Sequence, residues 1–493
     1  MSEYPVSENS GPSDSPGSKV NLNRAPDLVD ESSRIYMKAR HLWIAILIIV
    51  AVGLGIAVPY VDGMVLVLLV IIVLAVALTI IHPIVGLIAF TIVNFIRPAD
   101  LVPALEAVPL AKLVGGGTLL IMVAQAIIRR KLFFRYRQTW AITGILITLF
   151  LSIPMSYWPS ASLQVAVDYT KIILFYILII NLVRNLQRLK VMSLITLVCV
   201  LVLAISTLEG YFLDGGRAAS AIGAKMFGDA NDAALFFVAA LPLSAFWLRI
   251  RSHAYIGRIM YWLSVAVLFS GTIVTQSRGG FLGLIAVFFF YFLRRRNKIV
   301  AAIAIVLMGI IGFVALPTEI TDRYETIAEP NQEASASARL HTLGAGLNMM
   351  LHRPLNGVGA GAFETAFGTD FRPAGYLPSK WNAPHNTLIQ VGAETGLIGL
   401  GCFLFLFFFT ILQLRRMTFE RNELDADEID MREIRDIIYG SMIGYGVCAF
   451  FLTQAHNYLL YYLVAATIVL VDLYQDKDRE RTEASYLSVK TDE

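Results

Sequence analysis

Three arginines and a histidine carry the chemistry that this sequence could perform. Arg217 closes the stretch Gly210-Tyr-Phe-Leu-Asp-Gly-Gly-Arg217, Arg278 stands in Thr275-Gln-Ser-Arg-Gly-Gly280, and Arg339 follows Ser337-Ala338. A guanidinium presents a planar fork of donors that matches phosphate oxygens two at a time. Several such groups on one face could hold a diphosphate and stabilise its charge as it leaves. Taken singly, each arginine also fits a side chain that snorkels to lipid headgroups. Their company with the glycine-rich turn Gly357-Val-Gly359-Ala-Gly361 favours the anion site.

His385, in Ala383-Pro-His-Asn386, is the candidate base, because a neutral imidazole suits proton removal from a hydroxyl near neutral pH. His456, beside Asn457, is the rival. Glu394 follows His385 by nine residues. At about 100° per residue the two fall on opposite faces of a continuous helix, so direct pairing requires the helix to begin after His385.

The elements that position these groups are membrane helices. The chain has 493 residues, 57% hydrophobic and 16% charged, whereas soluble domains are about 45–50% apolar and about 25% charged. Apolar runs long enough to span, about 20 residues, fall at 42–60, 63–81, 83–96, 110–128, 140–157, 167–183, 189–208, 233–250, 258–275, 280–293, 299–316, 392–414, 437–455 and 458–474. The runs at 83–96 and 280–293 are short enough to be re-entrant, which makes about 12–14 spans. The predicted fold is an all-α polytopic bundle.

Basic residues mark every second loop. Arg34, Lys38 and Arg40 precede the first span, and Arg129, Arg130 and Lys131, then Arg184, Arg188 and Lys190, fill later loops. Arg249, Arg251, Arg294, Arg295, Arg415, Arg416, Lys477 and Arg479 keep the alternation to the end. By the positive-inside rule both termini are cytoplasmic. Arg217, Arg278, Arg339, His385 and His456 then face outward together. The first apolar run reads as an uncleaved start, because no cleavable signal precedes it.

The resulting organisation is a disordered cytoplasmic tail (1–38), transmembrane helices (39–316), a long outward loop (317–391), further helices (392–474) and a second cytoplasmic tail (475–493). Within the loop, Leu340, Leu343, Leu347, Met350 and Leu351 recur at helical spacing, with Ser337 as N-cap and Pro354 as the stop. The charged stretch 423–436 reads as a solvated helix or loop. Cys199, Cys402 and Cys448 sit in apolar runs as small core residues. No acidic pair, nucleotide-binding loop or zinc motif stands in the outward loops. No metal, cofactor or nucleic-acid partner is therefore expected.

The run Arg339…Arg353-Pro-Leu-Asn-Gly357-Val-Gly359-Ala-Gly361…Pro384-His385-Asn386…Glu394-Thr-Gly396-Leu-Ile-Gly399 resembles the O-antigen ligase/Wzy-type polymerase superfamily. Ser277-Arg278-Gly279 and Phe227-Gly228-Asp-Ala-Asn231-Asp232, after Arg217, fit the same pattern, and the resemblance is strongest over about 205–414. It implies a membrane-embedded glycosyltransferase of the bacterial inner membrane. The donor would be a glycan on undecaprenyl diphosphate at the periplasmic face. The acceptor would be the lipid A core for a ligase, or another lipid-linked unit for a polymerase. It further implies that Arg217, Arg278 and Arg339 clamp the diphosphate and that His385 takes the acceptor proton, with inversion and without metal. Asn386, Gly357, Gly359, Gly361 and Glu394 would line the substrate site. A glycan or lipid transporter is the alternative of another class. Transporters tend to show repeats and midplane charges, and no repeat is visible here.

Overall fold

The computed structural model describes residues 76–98, 109–129, 136–214, 230–249, 254–294, 330–373, 381–419 and 424–491. The runs 42–60 and 299–316, most of 63–81, and Arg217 lie outside the described residues. Nearly all described residues belong to one unit, Leu78–Glu493.

The described helices are α1 (Pro83–Ile96), α2 (Leu110–Arg129), α3 (Arg137–Ser152), α4 (Pro159–Leu182), α5 (Leu186–Asp214), α6 (Ala230–Ala240) and α7 (Ala254–Val274). There follow α8 (Arg278–Arg294), α9 (Pro330–His352), α10 (Phe363–Thr369), α11 (Thr387–Arg416), α12 (Ala426–Ala449) and α13 (Tyr458–Thr491). Eight described helical segments are long and apolar enough to cross a membrane. They make the chain an all-α, polytopic integral membrane protein. One of these segments is α6 together with the 3-10 turn Leu241–Arg249 that extends it. Pro242 stands at the change of helix type, where a missing N–H and a ring clash disfavour continued α geometry.

Small residues let the helices approach. Gly440 of α12 lies against Tyr291 of α8, Gly444 against Val287, and Gly283 against Cys448. The spacing of Gly440 and Gly444 is the small-xxx-small pattern of close membrane packing. Antiparallel α3 and α11 meet through Gly144 on Cys402 and Gly399 on Thr148, and Gln138 donates to Gln413.

Among the described residues, Lys190, Arg249 and Arg294 gather on the first turns of α12. There Lys190 pairs with Asp430 at 2.5 Å, Arg249 with Glu433 at 2.5 Å and with Asp430 at 3.6 Å, and Arg294 with Asp436. The charged stretch is thus the first part of α12, opened by an Asp425–Glu428 capping box. Asp430 is buried rather than solvated, where Lys190 and Arg249 both pair with it.

The opposite end carries a small second core of Ala345, Met349, Val358, Phe363, Phe367, Ile389 and Ala393. Two expected boundaries shift here. The helix expected from Ser337 starts at Pro330, since proline is pre-organised for the first helical turn. The span expected from 392 starts at Thr387, because Asn386 caps it by accepting from Leu388 and Ile389 N–H.

Candidate active site at the His385 end of the bundle

Arg278 opens α8. Ser277 caps this helix, its Oγ accepting from Gly280 N–H at 3.2 Å. The turn before it is tight, with Gln276 at φ 52°. Arg278 is exposed at the helix start, while Gly279 and Gly280 behind it are buried. A Cβ on Gly279 would come within 2.9 Å of Phe451, so the α8 start is seated on the α12–α13 turn.

His385 reaches the same turn from another direction. Asn386 Nδ2 donates to Phe450 O at 2.9 Å and Thr387 Oγ1 to Leu452 O at 2.7 Å. Gln454 N–H donates back to Thr387 Oγ1 at 3.1 Å, and Ala455 N–H to Gln390 at 3.2 Å. With Asn386 and Thr387 fixed, His385 holds φ 43°, in the left-handed region that few residues other than glycine enter, histidine being among those that do so more often. It is partly exposed. One short turn, 450–455, therefore anchors both the Arg278 and the His385 segments.

Arg339 is placed by register. Gly346 of α9 packs on Ile389 of α11, and Gly392 packs on Met350, so the two helices run parallel. Arg339 lies seven residues before Gly346, on the same helical stripe. At about 1.5 Å per residue this is roughly 10 Å nearer the start of α9, which carries Arg339 past the start of α11 to the level of His385. Arg339 is exposed there.

The glycine turn is brought together with Glu394. At Gly396 (φ 75°, ψ −176°) the helix α11 is broken. A break frees backbone groups that cost several kcal/mol each in an apolar setting. The glycine turn fills them: Val358 N–H donates to Ala393 O at 2.8 Å, Gly359 N–H to Glu394 O at 3.1 Å, and Leu397 N–H to Pro354 O at 2.7 Å. The buried Glu394 carboxylate accepts from the Gly361 and Phe363 N–H groups and from Gln390. Gly357 and Gly359 are buried and Gly361 is exposed. Glu394 and the three glycines thus hold one another at the break in α11.

His456 lies in that same α12–α13 turn, directly after Ala455. Its ring packs edge-on against Tyr169 at 5.3 Å, and burial pushes its pKa down to about 4. It is neutral at working pH but largely shut away.

A clamp absent from the sequence reading fixes the module to the bundle. Arg353 donates to Met155 O at 2.7 Å and lies 4.7 Å over the Tyr157 ring. Tyr157 donates to Asp370 at 2.5 Å. Burial and the Asp370 hydrogen bond raise the Tyr157 pKa. Ser162 donates to Ala360 O at 2.7 Å, and Ser152 accepts from Ala360 N–H at 3.3 Å. The partners are some 200 residues apart in the chain, so no local pattern announces them. The run Arg353-Pro354 between a helix and a glycine turn was the one available signal.

Residues 263–404 match a protein-family model described as O-antigen ligase. The match includes Arg278, Arg339, the glycine turn, His385 and Glu394, and it excludes Arg217. No curated protein matches the chain.

Proposed function

We propose that this chain, which over residues 263–404 carries the domain of the O-antigen ligase/Wzy-type superfamily, transfers a glycan from undecaprenyl diphosphate to an acceptor hydroxyl. The end of the bundle that bears His385 faces the periplasm, and the ion-paired basic end faces the cytoplasm. The observation that carries the reading is the shared turn 450–455, against which the Arg278 and His385 segments are both seated.

His385 takes the proton of the acceptor hydroxyl as its oxygen attacks the anomeric carbon. The bond from that carbon to the diphosphate oxygen breaks, and the configuration inverts. Arg278 and Arg339, with Arg217, hold the departing diphosphate on its lipid. Removing one fixed donor to a developing anion costs about 10²–10³ in rate. Glu394 and the glycine turn position His385, and Asn386 locks its backbone. The preferred acceptor is the lipid A core. Polymerisation onto a second lipid-linked unit uses the same chemistry and is separated from it by experiment.

His385→Ala is expected to insert normally and to lose transfer by at least about 10². The assay is the surface glycan profile of the complemented deletion strain, run beside its lipid-linked pool. Wild-type ladders from a correctly inserted variant would remove His385 from the mechanism. Bare core with long lipid-linked chains in the deletion strain identifies ligation. Core with a single repeat identifies polymerisation.

A further inference from the structure

The segment that carries His385 turns back into the membrane span. The second part of α11, Leu397–Arg416, measures roughly 30 Å at about 1.5 Å per residue, the full thickness of a hydrocarbon core. Its Gly399 packs on Thr148, one turn below the end of α3 at Ser152. The kink at Gly396 thus stands at one edge of the span, with Arg415 and Arg416 at the other. Continued straight, Thr387 would rise roughly 13 Å further into water. It is held inward instead. Asn386 and Thr387 bond to carbonyls of the 450–455 turn, and Ala455 N–H donates to Gln390. His456, the next residue, packs on Tyr169, and Tyr458 packs on Phe175 at 5.9 Å. α4 starts at Pro159, after the exposed Trp158, a residue type that marks membrane interfaces. Tyr169 and Phe175 lie roughly 15 and 24 Å further along α4. The turn, and with it the Thr387 end of α11, is therefore sunk below the edge that Trp158 and Gly396 mark.

The main chain of the turn is satisfied as backbone removed from water must be. Besides the bonds from Asn386 and Thr387, Tyr445 donates to Gln454 O at 2.6 Å and Tyr461 to Ala455 O at 3.3 Å. The Phe451, Gln454 and Ala455 N–H groups go to Cys448 O, Thr387 Oγ1 and Gln390. A turn at the surface leaves most such groups to solvent.

α9 runs beside the inward part of α11 and bears the mark of lipid on its outer face. Leu340, Leu343, Leu347 and Leu351 recur on one side, opposite the buried Ala345 and Met349, and Leu340 and Leu351 are 70% and 79% exposed. An apolar stripe of this kind marks an interaction surface. The exposed Leu355 continues it to α11, since Pro354 O accepts from Leu397 N–H, and the exposed Leu397, Ile398, Phe405 and Phe408 carry it along the span. We infer that α9 and residues 387–395 form a re-entrant pair dipped into the leaflet at the His385 end, with the leucine stripe against its acyl chains. The insertion stands apart from the glycosyl-transfer reading. Joined to that reading, it sets the deprotonation of the acceptor below the headgroup plane.

The test uses the wild-type, full-length protein in nanodiscs doped with a phospholipid that carries a diazirine midway along one acyl chain. Photolysis is followed by peptide mass spectrometry. Residues 340–355 are expected to take label to within about threefold of residues 397–408, and the exposed stretch 476–483 at least about tenfold less. An unlabelled 340–355 in a preparation whose 397–408 is labelled overturns the insertion and leaves the stripe to water or to a second copy. A nitroxide on Leu347→Cys, in a Cys199→Ala, Cys402→Ala, Cys448→Ala background, reads the same surface separately. Oxygen is expected to relax it at least about threefold more than a water-soluble nickel chelate does, and the reverse order overturns the insertion. Neither readout uses transfer. A protein that passes both but transfers no glycan overturns the proposed activity and leaves the insertion standing.

Discussion

A guanidinium and an ammonium carry the same charge, but only the first offers a rigid two-pronged contact to phosphate. Arg278→Lys therefore separates a diphosphate clamp from a contact to headgroups. Transfer is expected to fall at least tenfold, with unchanged insertion, as measured by donor turnover in membranes. Near-normal turnover would assign Arg278 to lipid. Arg217, Arg278, Arg339 and His385 were singled out by residue type and by loop charge; the structure brings the Arg278 and His385 segments onto one turn, and Arg217 lies outside the described residues. The choice between His385 and His456 was not legible. Nothing local distinguishes the two histidines. The difference arises from Tyr169, far away in sequence, which packs on His456 and helps to desolvate it.

At the scale of elements, the broken helix and the glycine turn act as one part. A Cβ on Gly357 would lie 2.4 Å from the Glu394 backbone, and its φ of 64° is strained for any larger residue. Gly357→Ala is expected to insert, to lose more than tenfold in transfer, and to expose the Arg353 region to trypsin. Retained activity with wild-type protease resistance would show that the turn can part from α11 without consequence. The glycines were visible in the sequence as a turn. Their service to a kink at Gly396 was not, because apolar periodicity continues across the kink from 387 to 414. Asn386 was read as a substrate contact. Both ends of its amide are in fact engaged, by the cap and by Phe450 O, a commitment that only the folded α12–α13 turn makes visible.

At the scale of the molecule, eleven of the runs picked out by hydropathy correspond to described helices, and the other three fall wholly or mostly outside the described residues. Hydropathy works this well because backbone groups in lipid must be satisfied within helices. It says nothing about how helices are fastened. The acidic start of α12 fastens three loops through Asp430, Glu433 and Asp436. Asp430→Asn keeps the size but leaves Lys190 and Arg249 without their shared carboxylate. A fall of several degrees in the melting temperature in detergent is expected, with little change in kcat. An unchanged melting temperature would make this cluster ornamental.

The stitched break in α11 bears on how such proteins can be recombined. A loop hung between two helices can be exchanged at its ends. The segment 330–397 is sewn into residues 152–162 and 450–455 by one main-chain bond, Tyr157 N–H to Val358 O, and by side-chain bonds to backbone from Ser152, Ser162, Asn386 and Thr387. A graft cut at 391 would pair a foreign glycine turn with a resident kink and strand the carbonyls of Ala393 and Glu394. Chimeras that trade substrate range should therefore move all three patches at once, and hybrids cut at the visible loop ends should fold poorly however similar the parents.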